Sequence, residues 1–274
     1  MGLLSDMLLS GRRRVAEARG RVPEAALRAA VLATPTPPPL RLDRHGFDVI
    51  AELKLRSPSL GDLSAATLDP VRRLEAYAEG GAAVCSILTE PTRFDGDLDH
   101  LRLAAETLQP FGVPAMRKDF LVDPYQVIEA RTCGASGVLL IVRMVPRDEL
   151  IEMLDCAADL DLFVLLEAFD ADDLEVAASI ARERAGRDEQ VLMGLNCRDL
   201  ETLEIDPRRF ESLRGRLPVE WPAVAESGVQ SPQDAARVAG LGYRLALVGT
   251  SLMRRADPAE AVRELVEAGR QARP

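Results

Sequence analysis

Histidine is nearly missing from this chain of 274 residues: His45 and His100 are the only two. His45 falls in a loop before an apolar run and His100 within the helical pattern "LDHLRLAAETL". Neither ends an apolar run, which argues against a Ser-His-Asp triad or a histidine metal site and leaves acid–base work to Lys, Glu, Asp or Tyr. Cysteine is also sparse. Cys85, Cys133, Cys156 and Cys197 lie far apart with no CxxC pair, so reduced thiols fit better than disulfides or a zinc knot. No apolar stretch approaches the roughly 20 residues a membrane helix needs. Positive charge is in the minority, 34 Lys and Arg against 44 Asp and Glu for a net −10. That balance disfavours nucleic acid, whose affinity for proteins rests on clustered cations. The Arg12–Arg13–Arg14 triplet reads as a solvated helix face. The start, "MGLLSDMLLSGRRRVAEARG", lacks the order of a signal peptide, since Asp6 breaks its apolar part and the arginines follow it. An amphipathic helix of a cytoplasmic protein is expected there.

What is present is a chain long enough for one large domain, 47% hydrophobic and 28% charged. Eight short apolar runs recur: "DVIAEL" from 48, "AVCSIL" from 83, "VPAM" from 113, "GVLLIV" from 137, "LFVLLEA" from 162, "VLMGLN" from 191, "PAVAES" from 222 and "LALVG" from 245. Helix-period segments alternate with them. Several open on Asp-Pro or Ser-Pro and end in glycine, the punctuation of a capped helix. Alternation of nearly continuous apolar strands with helices means a parallel sheet covered by helices. Eight units in this length predict an α/β fold, a (β/α)8 TIM barrel over 48–274. A doubly wound open sheet is the runner-up, but no glycine-rich dinucleotide fingerprint follows the first strand. Residues 1–47 are read as an N-terminal helical extension and linker: a helix at 3–19, another near 24–32, and the tether "ATPTPPPL".

Active sites of such barrels lie at the C-terminal ends of the strands. Those ends carry Glu52 and Lys54, then Arg117 and Lys118, Glu167, Asn196 and Arg198, and Glu226 with Ser227. A single charge at a strand end is usually a loop edge, and Glu52 with Lys54 could be no more than a rim ion pair. Three glutamates, two lysines and an asparagine on one rim point to a site. The last two loops, "ESGVQSP" and "VGTSLM", each offer glycine and a hydroxyl, which suits backbone capture of a phosphate. Gly228, Gly249 and Thr250 are the candidates there, with Ser57 closing the site from the first loop.

At these residues the chain resembles the indole-3-glycerol phosphate synthase family. The motifs "IAELKLRSPSLG", "SILTEPTRFDGDLDHL", "MRKDFLVDPYQVIEARTCGA", "GLNCRDLETLEID", "VAESGVQSPQDA" and "LVGTSLMR" carry the resemblance, in order, from about 48 to 258. It implies a decarboxylating carboxy-lyase of tryptophan biosynthesis acting on 1-(2-carboxyphenylamino)-1-deoxyribulose 5-phosphate, with no metal or organic cofactor. By position Lys118 matches the family's general acid and Glu167 its general base. Glu52, Lys54 and Asn196 match polar residues that orient the substrate, and Arg198, Glu226 and Ser227 substrate-binding positions. Ser57, Gly228, Gly249 and Thr250 match phosphate ligands. Departures are Leu60, where many members carry Lys or Arg, Thr250 in place of serine, Cys197 where a small polar residue is usual, and "LLEAF" without the polar residue that often follows the glutamate. Rival readings are a phosphosugar barrel isomerase like phosphoribosylanthranilate isomerase, and a non-catalytic paralogue that binds phosphorylated ligands. Apart from that small phosphorylated aromatic aminosugar, neither nucleic acid nor membrane is expected as a partner, and a monomer or weak oligomer is expected.

Overall fold

A computed structural model describes residues 2–43, 46–54, 56–57, 61–62, 69–185, 190–200 and 202–273. His45 and Leu60 lie outside the described residues. Eight parallel strands close into a barrel: β1 (Asp48–Leu53), β2 (Val84–Leu88), β3 (Ala115–Lys118), β4 (Gly137–Ile141), β5 (Phe163–Ala168), β6 (Val191–Asn196), β7 (Ala223–Glu226) and β8 (Leu245–Val248). Each pairs with its sequence neighbours and β1 also with β8, where Ala51 faces Val248. Nearly every strand residue is buried, because the barrel interior takes one face of each strand and the helices cover the other.

The helices follow the expected punctuation. Asp69 caps the helix Pro70–Glu79 by accepting from the Val71 and Arg72 N–H groups, and Asp123 caps Pro124–Thr132 through Tyr125. Ser231 and Asp234 form a reciprocal capping box at Pro232–Gly240. In each case proline occupies the first turn, where its missing N–H costs nothing. Gly134 and Gly242 lie just past helix ends at φ values of 84° and 101°, a left-handed turn that side chains disfavour.

Ahead of the barrel, α1 (Leu3–Arg21) and α2 (Glu24–Ala33) run slightly past the predicted bounds. Only α1 seats itself in the core, through Met7, Ser10, Gly11 and Val15. A Cβ added to Gly11 would lie 3.0 Å from a Val122 methyl and 3.2 Å from the Phe120 carbonyl, so glycine there sets how closely α1 approaches the segment after β3. The third strand differs from expectation. It begins at Ala115 instead of Val113 and runs to Lys118, because Pro114 has no N–H to give a ladder. All four cysteines are free and buried. Among the described residues no helix is long and apolar enough to cross a membrane.

Candidate active site

β1 presents Glu52 and, just past its end, Lys54 to the same side because side chains two apart on a strand share a face. Lys54 Nζ donates to Glu52 Oε1 at 2.9 Å, so the rim ion pair exists. It is also a wall of something larger. A cavity of about 330 Å³ opens at the C-terminal end of the barrel, lined by Glu52, Lys54, Lys118, Glu167, Asn196, Arg198 and Ser227. Apolar walls come from Leu88, Phe94, Phe120, Leu139, Ile141, Leu200 and Leu203, and Glu90, Arg93 and Asp119 add further charged groups. α1 contributes Leu3 and Asp6 to the lining.

Polar contacts order the floor. Asn196 Nδ2 donates to Glu167 Oε1 at 2.6 Å, while its Oδ1 accepts the Arg198 N–H at 2.9 Å. One amide thereby fixes both a carboxylate and the loop that carries Arg198. The Arg198 guanidinium donates to the Leu203 carbonyl at 2.9 Å. Burial alone would lower the Lys118 pKa, but the carboxylates around it, Glu167 first and then Glu52, outweigh it and raise it, so Lys118 remains an ammonium at neutral pH. Burial pushes Glu52 upward, yet Lys54, Lys118 and Arg198 together hold it below the usual carboxylate range. Glu226 moves the other way: burial, followed by the Glu167 charge, raises it well above that range, against a smaller pull from Lys118.

Not every expected residue reaches the cavity wall. Glu226 is 1% exposed and lies behind Glu167 and Asn196 instead of lining the cavity. It can sit there because residue 194 has no side chain: a Cβ at Gly194 would fall 2.1 Å from Glu226 Oε1. Gly249 likewise makes room for the β1 pair, with Glu52 Oε1 2.3 Å and Lys54 Nζ 3.1 Å from where its Cβ would be. Gly249 precedes the short helix Thr250–Met253. Gly228 follows Ser227, whose φ of 61° turns the chain left-handed. The backbone of Ser57 pairs with Gly61 in a short antiparallel ladder; its side chain is outside the described residues. Arg117, next to Lys118, faces the helices, where it donates to Thr89, Asp119, Glu129 and the Gln126 carbonyl.

Some participants had no signal in the sequence. Leu3 and Asp6 could not be placed over the cavity without the docking of α1. Asp119 is the hub of that docking. Its Oδ1 and Oδ2 accept from Arg14 at 2.8 and 2.9 Å, and Oδ2 also accepts from Thr89 and Arg117. Gly194 did leave a trace, as a glycine inside the apolar strand run "VLMGLN".

Comparison with known proteins gives the family. The model of the indole-3-glycerol phosphate synthase family matches residues 4–265. The chain is similar to an indole-3-glycerol phosphate synthase of Nocardioides sp., 40% identical over 267 residues that cover 97% of this chain and 98% of that one. It is also similar to that of Mycobacterium leprae, 39% identical and covering 96% and 94%. Among solved structures, 3-hexulose-6-phosphate synthase from Salmonella typhimurium superposes with a TM-score of 0.63 at 15% identity, covering 82% of this chain and all of that one. Phosphoribosyl anthranilate isomerase from Thermotoga maritima does so at 0.54 and 13%, covering 81% and 99%. These two share the fold.

Proposed function

Since the chain belongs to the indole-3-glycerol phosphate synthase family, we propose that it closes the indole ring of 1-(2-carboxyphenylamino)-1-deoxyribulose 5-phosphate, releasing carbon dioxide and water. It is a carboxy-lyase by this reading, at work in the cytoplasm, with residues 1–47 serving as an extension to the barrel at 48–274. Free, buried thiols suit that compartment.

The observation that carries the reading is that Lys118 from β3 and Glu167 from β5 line one cavity, close enough for the Glu167 charge to act on Lys118. The aromatic carbon that bears the carboxylate attacks the ribulose carbonyl, and negative charge grows on the carbonyl oxygen as the bond forms. Lys118, held as an ammonium, donates its proton there. Carbon dioxide then leaves, and Glu167 removes the proton whose loss accompanies expulsion of water. Glu52 keeps Lys54 extended into the cavity, where the Lys54 ammonium meets the substrate carboxylate. The apolar walls from Leu88 to Leu203 accept the aromatic ring. Arg198 and Ser227 line the side toward β6 and β7, and the loops with Gly228, Gly249 and Thr250 take the phosphate through backbone N–H groups, joined by Ser57.

The test is Lys118→Ala. Turnover, followed by the appearance of indole fluorescence, is expected to fall about 10²–10⁴-fold, or roughly 3–5 kcal/mol, with substrate affinity within about tenfold. Lys118→Arg should not rescue it, because guanidinium holds its proton too tightly. Retention of more than about half the turnover by Lys118→Ala would move the acid elsewhere, to Lys54 first. An isomerase would release no indole fluorescence, and turnover that survives a chelator is expected of a site that uses no metal.

A further inference from the structure

We propose that Glu226 works as a neutral carboxylic acid that donates its hydroxyl hydrogen to Glu167, so that two carboxyl groups share one proton and Glu167 is held in place for its role as base. The inference deepens the reading of Glu167 given above and rests on it.

Geometry comes first. Glu226 ends β7 opposite Asn196 of β6, while Gly194, two residues earlier on β6, stands opposite Glu167 of β5. The Glu226 carboxyl lies over Gly194, in the space a Cβ would fill. Its side chain therefore crosses the whole width of β6 toward Glu167. Only glycine at 194 leaves this path open.

Satisfaction of hydrogen bonds comes second. Both oxygens of Glu226 are buried, and among the described residues neither has a hydrogen-bond donor within reach. A carboxylate anion can only accept, so an ionised Glu226 would be left with buried charge and no partner. A protonated one has a donor to offer, and the acceptor beside it is Glu167, whose Oε1 already takes the Asn196 amide. The surrounding charges agree. Glu167 from β5 and Glu52 from β1 disfavour a further anion, and only Lys118 from β3 opposes them. β6 and β8 bring Asn196 and Leu247 alongside, neither of them charged.

This makes Glu226 a positioning residue. It fixes the second edge of the Glu167 carboxylate, as Asn196 fixes the first, and leaves one oxygen lone pair free for the proton removed from substrate. An ionised Glu226 would instead have only lone pairs to offer and would repel the Glu167 carboxylate. The two states respond oppositely to Glu226→Gln, whose amide can donate to Glu167 but carries no charge.

Infrared spectroscopy of the ligand-free protein at neutral pH reads the protonation state directly. A protonated-carboxyl carbonyl band is expected in the wild type and should vanish in Glu226→Gln. Absence of the band from the wild type, or its persistence in the variant, would overturn the proposal. Steady-state kinetics add a second arm: both variants lose activity, but Glu226→Gln should keep a kcat about tenfold or more above that of Glu226→Leu, which has no hydrogen to donate. Equal kcat values for the two would also overturn it. The infrared result needs no turnover, so a chain inactive on the carboxyphenylamino substrate would refute the functional reading while leaving the shared proton to stand or fall by itself.

Discussion

Residue 194 shows how a side chain can act by its absence. Gly194→Ala places a methyl carbon 2.1 Å from Glu226 Oε1, and the carboxyl, the far end of a three-bond side chain, has to swing away. The strand itself gains from losing a glycine. Gly194→Ala is thus expected to keep its urea midpoint while kcat falls about ten- to a hundredfold, the scale set by moving a positioned group about 1 Å. A variant with unchanged kcat would mean that Glu226 can be displaced without consequence. Gly228 is a poorer probe of the proposed phosphate loop. A Cβ there would meet the ring of buried Phe210 at 2.6 Å, and that ring packs edge-on against Tyr243 at 5.3 Å, so even alanine disturbs the core. Thr250→Val removes only a hydroxyl. It should raise KM about tenfold, as expected for one hydrogen bond to a charged phosphate, with kcat less affected. An unchanged KM would take Thr250 out of the phosphate site.

Among the elements, α1 meets the barrel in a buried ion pair, Arg14 with Asp119, and nearer the surface through Arg12 with Glu149 and Arg19 with Asp123. Asp119 is fully buried and holds Arg14 in a two-pronged ion pair, with Arg117, Thr89 and the Phe120 N–H completing its shell. These partners outweigh the cost of burial and hold the Asp119 carboxyl far below its usual range. Arg14→Met should destabilise the protein by about 2–3 kcal/mol, the low end for breaking a buried pair because Arg117 still balances the charge. Proteolysis within α1 should accelerate alongside. A stable variant with α1 still protected would show that Met7 and Val15 suffice to dock it. The sequence made the strands legible because apolar runs of four to seven residues, punctuated by Asp-Pro and Gly, recur at the right spacing. Lys118 and Glu167 were legible because polar residues stand at several strand ends together and the family's motifs single these two out. Arg14 looked like one member of a solvated triplet, since nothing local distinguishes the arginine that meets a buried aspartate from Arg12, which meets Glu149 at the surface. Parity along β3 puts Lys118 inward, and Lys118 lines the cavity while Arg117 bonds to Glu129 and the Gln126 carbonyl.

On the scale of the whole molecule, two buried carboxyls impose opposite pH dependences on folding. Asp119 is depressed, so its contribution is complete above the unfolded value of about 4 and is lost as pH falls through its native value. Glu226 is raised, so its contribution is complete below about pH 4.3 and is lost as pH climbs toward its native value, with a slope of up to about 1.4 kcal/mol per pH unit. Urea unfolding from pH 5 to 8 should therefore show wild-type stability declining, and Glu226→Gln should flatten the decline and end the more stable of the two at pH 8. Parallel curves would indicate that Glu226 ionises without cost. The four buried thiols have a consequence of another sort. Burial pushes Cys156 up to about 11 and Cys197 up to about 12, and Cys85 and Cys133 also move upward. In alkylation the thiolate attacks the reagent, so each cysteine is silent until its neighbourhood opens. Cys85 lies in β2, Cys133 behind the helix Pro124–Thr132, Cys156 in the helix Arg147–Asp159 and Cys197 directly after β6. Pulse alkylation resolved by peptide mass would turn them into four stopwatches started together, and the order in which they stop would record which quadrant of the barrel breathes first.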